Sequence, residues 1–351
     1  MAVIGQSNFE SAILGTTARS LRFPFGGMAV TPDGRLFVTD VIGGVVKVFR
    51  DYEQAIGPAA EFTIPSAALS ASNREHQLVL LTTNHAVHIY REAPDPDTAD
   101  MAPTVTSPSG SDCAPEAMNE PLAAYVTPSG RLLVADYRNH RVLIWESIPD
   151  SGLLGEPKVV LGQEHFEICA QNDDDHDGDY GPGPTGRTLS FPAGVWSDDT
   201  RVVVADSSNS RVLIWNSFPD SFQPASLVLG QDDFFSSTVN RGQPIPSEET
   251  LAGPFGVDVS DSGQLAVVDR FNHRVLLWDS FPTMNGQPAD QVIGQRDFTG
   301  RTYNDVHDEG IPQENPSAHT LRMPSGVRFQ GRSLIVTDTE NNRVVVWRAI
   351  D

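Results

Sequence analysis

The sequence predicts an all-β fold, a closed six-bladed β-propeller built from four-stranded antiparallel blades. Three observations carry this reading: a phrase that recurs at a long period, four short apolar runs within each period, and two chain ends that complete one another. The phrase is clearest as Val134 to Trp145, Val204 to Trp215, Val268 to Trp278 and Val336 to Trp347, each containing Asp-x-x-Asn-x-Arg-Val. Its aspartates, Asp136, Asp206, Asp269 and Asp338, return at intervals of 70, 63 and 69 residues, roughly the length of four strands and a generous loop.

Within the unit around Trp278 the runs are Leu251-x-x-Pro254 to Val259, Gly263 to Asp269, Arg274 to Trp278 and Asp290 to Phe298, separated by Gly, Asn, Asp and Pro. Such spacing describes a meander of four strands. Two weaker copies come first. Arg19 to Arg50 keeps Leu21-x-x-Pro24 and Asp40 but has Gly43 and Val45 where the later units have Asn and Arg. Phe62 to Arg91 keeps Phe62-x-x-Pro65 as an opening and places Leu81 at the aspartate position, which brings the count to six. The chain stops at Asp351 after three strands of the last unit and begins with Val3-Ile4-Gly5-Gln6-x-x-Phe9, a copy of the fourth-strand phrase at Val160 to Phe166, Val228 to Phe234 and Val292 to Phe298. The N-terminus is therefore expected to supply the outer strand of the sixth blade and close the ring.

The phrases Asn139-His140-Arg141-Val142 and Asn272-His273-Arg274-Val275, with the looser Asn209-Ser210-Arg211-Val212 and Asn341-Asn342-Arg343-Val344, resemble the NHL repeats of six-bladed propellers over nearly the whole chain. The Leu-Gly-Gln-x-x-Phe outer strand looks like that of a bacterial subgroup. The resemblance implies a fold and says little about activity.

One propeller uses all of residues 1–351 as a single domain. The net charge of −22, with Lys47 and Lys158 the only lysines, disfavours nucleic acid and anionic membranes as partners. No apolar run approaches the roughly 20 residues needed to span a bilayer. The first residues belong to a blade, so the expected setting is cytoplasmic, or secreted if Met1 replaces a removed signal peptide. Cys113 and Cys169 fall in loops before successive inner strands and are either a disulfide between neighbouring blades or two separate thiols.

The long outer-to-inner loops, Glu167 to Thr188, Phe235 to Thr250 and Thr299 to Thr320, place the binding face on the side of the Asp-x-x-Asn turns. The turn residues themselves read as architecture, since a residue needed in every blade cannot mark one site. His85, His140 and His273 belong to that phrase, whereas His165, His176, His307 and His319 lie in or beside the loops. At the channel mouth, the position after each opening proline carries Phe25, Ser66, Leu122, Ala193, Phe255 and Ser325. The similar peptidyl-hydroxyglycine lyases have zinc-binding histidines there; no imidazole is present here, so that zinc chemistry is not expected. Nor is there a match to the metal set of gluconolactonase-type propellers, for which Asn119 and Glu120 are poor substitutes.

Phe25, Phe255 and Leu122 form an apolar collar, either a ligand wall or a plug. Arg22 and Arg322 occupy equivalent positions in the first and sixth units and are candidates to hold a carboxylate or phosphate together. One strand step further in lie Tyr125, Trp196, Asp258 and Arg328, the last two expected as an ion pair. Asp173, Asp175, Asp177 and Asp179, with Gly178, form half of a calcium loop and are a weak structural calcium candidate, because no bidentate Glu follows. The residues thus describe a binding scaffold for a protein partner or a small organic acid. The alternative is a lyase, hydrolase or cyclase acting at the channel mouth, favoured by an open mouth and disfavoured by a sealed one.

Overall fold

A computed structural model describes residues 1–53, 56–108, 110 and 113–348. Six sheets surround a central channel. Blade 3 shows the pattern: Pro121–Val126 innermost, then Leu132–Asp136, Arg141–Trp145 and Val159–Leu161, all antiparallel. Blades 4 and 5 repeat it from Pro192–Ser197 to Leu227–Leu229 and from Pro254–Val259 to Gln291–Ile293. Blade 1 runs from Ala29–Val30 to Phe62–Ile64. Blade 2 runs from Ala68–Arg74 to Val105–Thr106, and Gly152–Leu153 of the following blade adds a parallel fifth strand to its edge.

Blade 6 closes the ring as the repeat requires. Ala2–Ile4 pairs antiparallel with Arg343–Arg348, Val3 opposite Val345, outside Ser333–Asp338 and Gly326–Gln330. Residues 349–351, the tail of the last phrase, lie outside the described residues. The apolar alternation of each strand is buried on both faces, and the clusters mix neighbouring blades: Val203, Ile214 and Leu229 of blade 4 pack with Leu265, Val267 and Trp278 of blade 5. Each such side chain contributes roughly 1.5–3 kcal/mol on burial.

The polar phrase is buried too. Arg141, Arg211, Arg274 and Arg343 are fully inaccessible and pair through Nε with Asp136, Asp206, Asp269 and Asp338 at 2.7–2.8 Å. Each Nη1 donates to the carbonyl of the outer-strand phenylalanine, Phe166, Phe234, Phe298 or, across the termini, Phe9. Nη2 donates to two carbonyls of the incoming loop, for example Thr185 and Thr188. Burial raises the aspartate pKa values, and the arginine opposes it. Such a carboxylate is tolerated because the fork answers it with charge and hydrogen bonds.

The two weak copies depart from the pattern in an explicable way. In blade 1 the role of the arginine passes to Lys47, 3.0 Å from Asp40, whose ammonium also donates to the carbonyls of Thr17 and Ser20. Two positions of the sequence reading change in blade 2. Phe62–Ile64 is the outer strand of blade 1, so Phe62-x-x-Pro65 does not open blade 2. Ala68 pairs with Thr82 as Pro192 pairs with Asp206, which moves the aspartate position from Leu81 to Thr82 and the mouth position from Ser66 to Leu69. With no arginine to neutralise, a hydroxyl suffices: Thr82 donates to the carbonyl of Ala86.

Blades are also stitched to their neighbours. His85, His140 and His273 have left-handed backbones, and their Nδ1 atoms accept the N–H of Glu120, Phe191 and Met323 in the next blade. Asn342 Oδ1 does the same for Phe23, across the ring closure. These histidines are thus seam residues.

Two predictions follow from these buried groups. Arg211→Met leaves Asp206 charged and unpaired, and a loss of about 3–5 kcal/mol is expected in urea denaturation. An Asp206→Asn/Arg211→Met double variant recovers part of it. Burial pushes His140 and His273 down to about 4. Their folded values lie below the unfolded value of about 6.5, so their contribution is present above pH 6.5 and is lost as pH falls towards 4. Asp258, pushed up to about 6 by burial, works in the opposite direction. The comparison therefore uses Asn variants, which keep the acceptor as Asn342 does: from pH 7 to pH 4 the wild type should lose on the order of 2–4 kcal/mol per histidine relative to His140→Asn and His273→Asn. A pH-independent difference overturns the seam argument.

Candidate functional site

The mouth collar is a plug. Phe25 and Phe255 meet edge to face with ring centroids 5.3 Å apart, beside the buried Leu122 and with Leu69 completing the wall. Below it, glycines, alanines and serines of the inner strands surround a cavity of about 50 Å³, room for a water or two. Tyr125, Asp258 and Arg328 line the far side of that cavity. Tyr125 and Trp196 stand 6.1 Å apart between ring centroids, and burial raises the tyrosine pKa. The Asp258 carboxylate accepts the N–H of Phe329 at 2.7 Å, while Arg328 acts on it through space without the direct ion pair expected; Arg328 Nε is buried with no hydrogen-bond partner among the described residues. Tyr125 and Trp196 are therefore separated by the plug from any ligand at the mouth.

Outside the plug lies a hollow of about 500 Å³. Its floor is Phe25, Leu69, Leu122 and Phe255, and its walls are Phe23, Val41, Thr83, Tyr137, Ser207, Arg270 and Phe271 with Arg138 and Glu120 at the rim. The wall has a simple origin. Val41, Thr83, Tyr137, Ser207 and Arg270 each directly follow the aspartate position of their blade, where the strand ends and the turn tips the side chain over the channel. Repetition of the flanking Asp and Asn hides this position in the sequence; its variability within an otherwise constant phrase is the signal that marks it.

Arg22 and Arg322 do not form the expected pair. Arg22 Nε lies 3.6 Å from Asp40, and Arg322 Nε donates to Glu340 at 2.8 Å while its guanidinium covers Tyr303. Neither lines the hollow. Each blade supplies a turn carboxylate nearer to its arginine than the neighbouring blade is. The cation that does reach the hollow is Arg270, buried, with its guanidinium 5.3 Å and 4.9 Å from the centroids of Phe25 and Phe255 and its Nη1 donating to the carbonyls of Met323 and Pro324.

The long loops are pinned where they cross the turns. Asn172, Asn240 and Asn304, all left-handed, exchange side-chain hydrogen bonds with Asn209, Asn272 and Asn341. Each follows a fourth-strand glutamine, Gln163, Gln231 or Gln295, at the same spacing, a regularity legible in the sequence but passed over. Cys113 and Cys169 are joined as a disulfide with Cα atoms 5.8 Å apart, tying the loops that enter blades 3 and 4. In the acidic loop, Asp173 is buried and caps its own turn, accepting the N–H groups of His176 and Gly178. Asp305 does likewise for Glu309 and Gly310 in a loop without the acidic run. Carboxylate oxygens of Asp173, Asp175 and Asp177 lie within 4.8 Å of one another; Asp179 instead donates its N–H to Asp177.

The NHL repeat model matches residues 118–145 and 321–347, the entry loop and first strands of blade 3 and the corresponding part of blade 6. A solved structure, the crystal structure of the WD40 beta propeller domain of Doa1, aligns with a TM-score of 0.50 at 9% identity, covering 93% of this chain and 79% of that one. At such identity the likeness concerns the fold alone. No curated protein matches the chain. The chain is thus a six-bladed propeller carrying NHL repeats. Among the described residues no helix is long and apolar enough to cross a membrane.

If turn capping is the role of Asp173, Asp173→Ala should increase protease cleavage between residues 173 and 180 equally with calcium and with chelator. A difference that appears only with calcium and vanishes in Asp175→Asn/Asp177→Asn would establish an ion there instead.

Proposed function

We propose that this propeller is a binding module that takes an apolar organic ligand in the hollow above its plugged channel. The observation that carries this reading is the combination of a sealed channel with an aromatic-floored depression of about 500 Å³, within the size range of ligand pockets. The titratable groups around it favour binding over catalysis. Glu120 is engaged by Arg138 at 2.6 Å, and burial raises the pKa of Tyr137, taking that hydroxyl further from proton exchange near neutrality. The three long loops ring the same face and expose Tyr180, Phe235, Ile245 and Ile311, which suits the edge of a protein partner delivering or sharing that ligand. The outer-strand phrase supports placement in the bacterial NHL subgroup. A calcium ion at Asp173, Asp175 and Asp177 would serve only the loop, because the blades make no use of it.

The test uses a neutral probe, 4-phenylbutan-1-ol, and amide chemical shifts. Perturbations are expected to cluster on Leu69, Leu122, Phe255 and Phe271. Val41→Trp, which fills the hollow from its rim without touching the plug, should weaken binding at least tenfold. Dispersed perturbations, or binding indifferent to Val41→Trp, would refute the site.

A further inference from the structure

We propose that the ligand of this hollow carries a carboxylate on an aryl or similarly flat apolar body, and that Arg270 is the residue that selects it. The inference rests on the hollow being the binding site and goes on to name the class of ligand.

The argument is one of unanswered charge. Three other arginines beside these turns each have a carboxylate: Arg138 has Glu120, Arg22 has Asp40 and Arg322 has Glu340. Arg270 has none within 4 Å among the described residues, although it is buried. Glu340 acts on it only from a distance, with its own oxygen already bound to Arg322. A buried cation without a counter-ion is costly, and what offsets the cost here is partial. Two carbonyls take one nitrogen, and the Phe25 and Phe255 rings, with centroids 5.3 and 4.9 Å away, add a cation–π attraction. The other edge of the guanidinium borders the hollow, fixed in orientation by the rings beneath it.

An arginine held by two carbonyls beside two aromatic rings, with part of its guanidinium bordering the hollow, is pre-organised for a planar anion, because its fork matches the two oxygens of a carboxylate. Apart from Arg138 and Glu120, which neutralise each other at the rim, the remaining wall is uncharged: Val41, Leu69, Leu122, Tyr137 and Phe271, with the hydroxyls of Thr83 and Ser207. A doubly charged phosphate would find one cation and an apolar floor, whereas a monocarboxylate with a flat body uses both. In a chain of net charge −22 the site is a local exception, so long-range attraction of anions does not explain it and the recognition must be made by contact.

Binding of 4-phenylbutyrate, 4-phenylbutan-1-ol and N-acetyl-glycyl-phenylalanine to the intact protein tests this by calorimetry. The butyrate should bind at least tenfold more tightly than the alcohol. Arg270→Gln should remove that preference, bringing the ratio of butyrate to alcohol affinity close to one, and Arg270→Lys should retain only part of it. The acetylated dipeptide carries the same two groups at a peptide end; tighter binding than the butyrate identifies a peptide C-terminus as the source, and weaker binding a free organic acid. Equal affinity of the wild type for butyrate and alcohol overturns the role of Arg270 while leaving the hollow as a binding site, and needs no variant that must fold. Failure of all three probes to bind removes the hollow itself.

Discussion

The structure depends on one interaction repeated four times: a buried arginine whose guanidinium donates to an aspartate, an outer-strand carbonyl and two loop carbonyls. A hydrophobic core can hold sheets face to face without fixing how far one strand slides along another. The guanidinium fork fixes it, since its donors are rigidly placed and each acceptor lies on a different segment. Arg343 shows the reach of this device. Through Asp338 it holds its own turn, through Ser317 and Thr320 the entering loop, and through Phe9 the opposite end of the chain. Closure is thus specified by hydrogen bonds as well as by the pairing of Val3 with Val345.

A residue fully committed to architecture cannot also recognise a ligand. With Asp, Asn and Arg taken, and the residue before Arg used in the seams, what each turn leaves free is the pair of positions after its aspartate. Those positions carry Val, Thr, Tyr, Ser and Arg at the hollow, a diversity the rest of the phrase does not share. Diversity within a repeat therefore locates the hollow, where identity within it locates the scaffold.

That distinction explains how much was legible in advance. Blade number, strand order and the exchanged N-terminal strand all followed from recurrent apolar runs and from Val3 to Phe9 matching Val160 to Phe166, because register in a two-sided buried strand tolerates no slip. Blade 2 was misplaced by a few residues since Thr82 needs no arginine and the phrase that would anchor it is missing. Lys47 was missed for a related reason: its ammonium reaches Asp40 from two residues further along the strand than the arginine position. At the hollow, the floor residues Phe25, Leu122 and Phe255 are legible through the proline that precedes each, a covalent landmark. Arg270 was hidden by the Asp269-to-Arg274 phrase in which it sits, and Arg22 and Arg322 attracted attention through an equivalence that their own turn acids, Asp40 and Glu340, cancel.

The plug and the hollow are two consequences of one taper. Six inner strands converge on an axis so crowded that Gly194, Gly256 and Gly326 face backbone of the next blade at distances a Cβ could not accept. The channel consequently has no width for substrate, and large side chains can be placed only at its ends. Phe25 and Phe255, filling the upper end, leave their outer surfaces unsupported by any further layer of blade. The turns diverge above them, and a depression with an aromatic floor results. A cation such as Arg270, set into that floor between two rings, is stabilised enough to remain and too little to be satisfied, which is the condition a recognition residue has to meet.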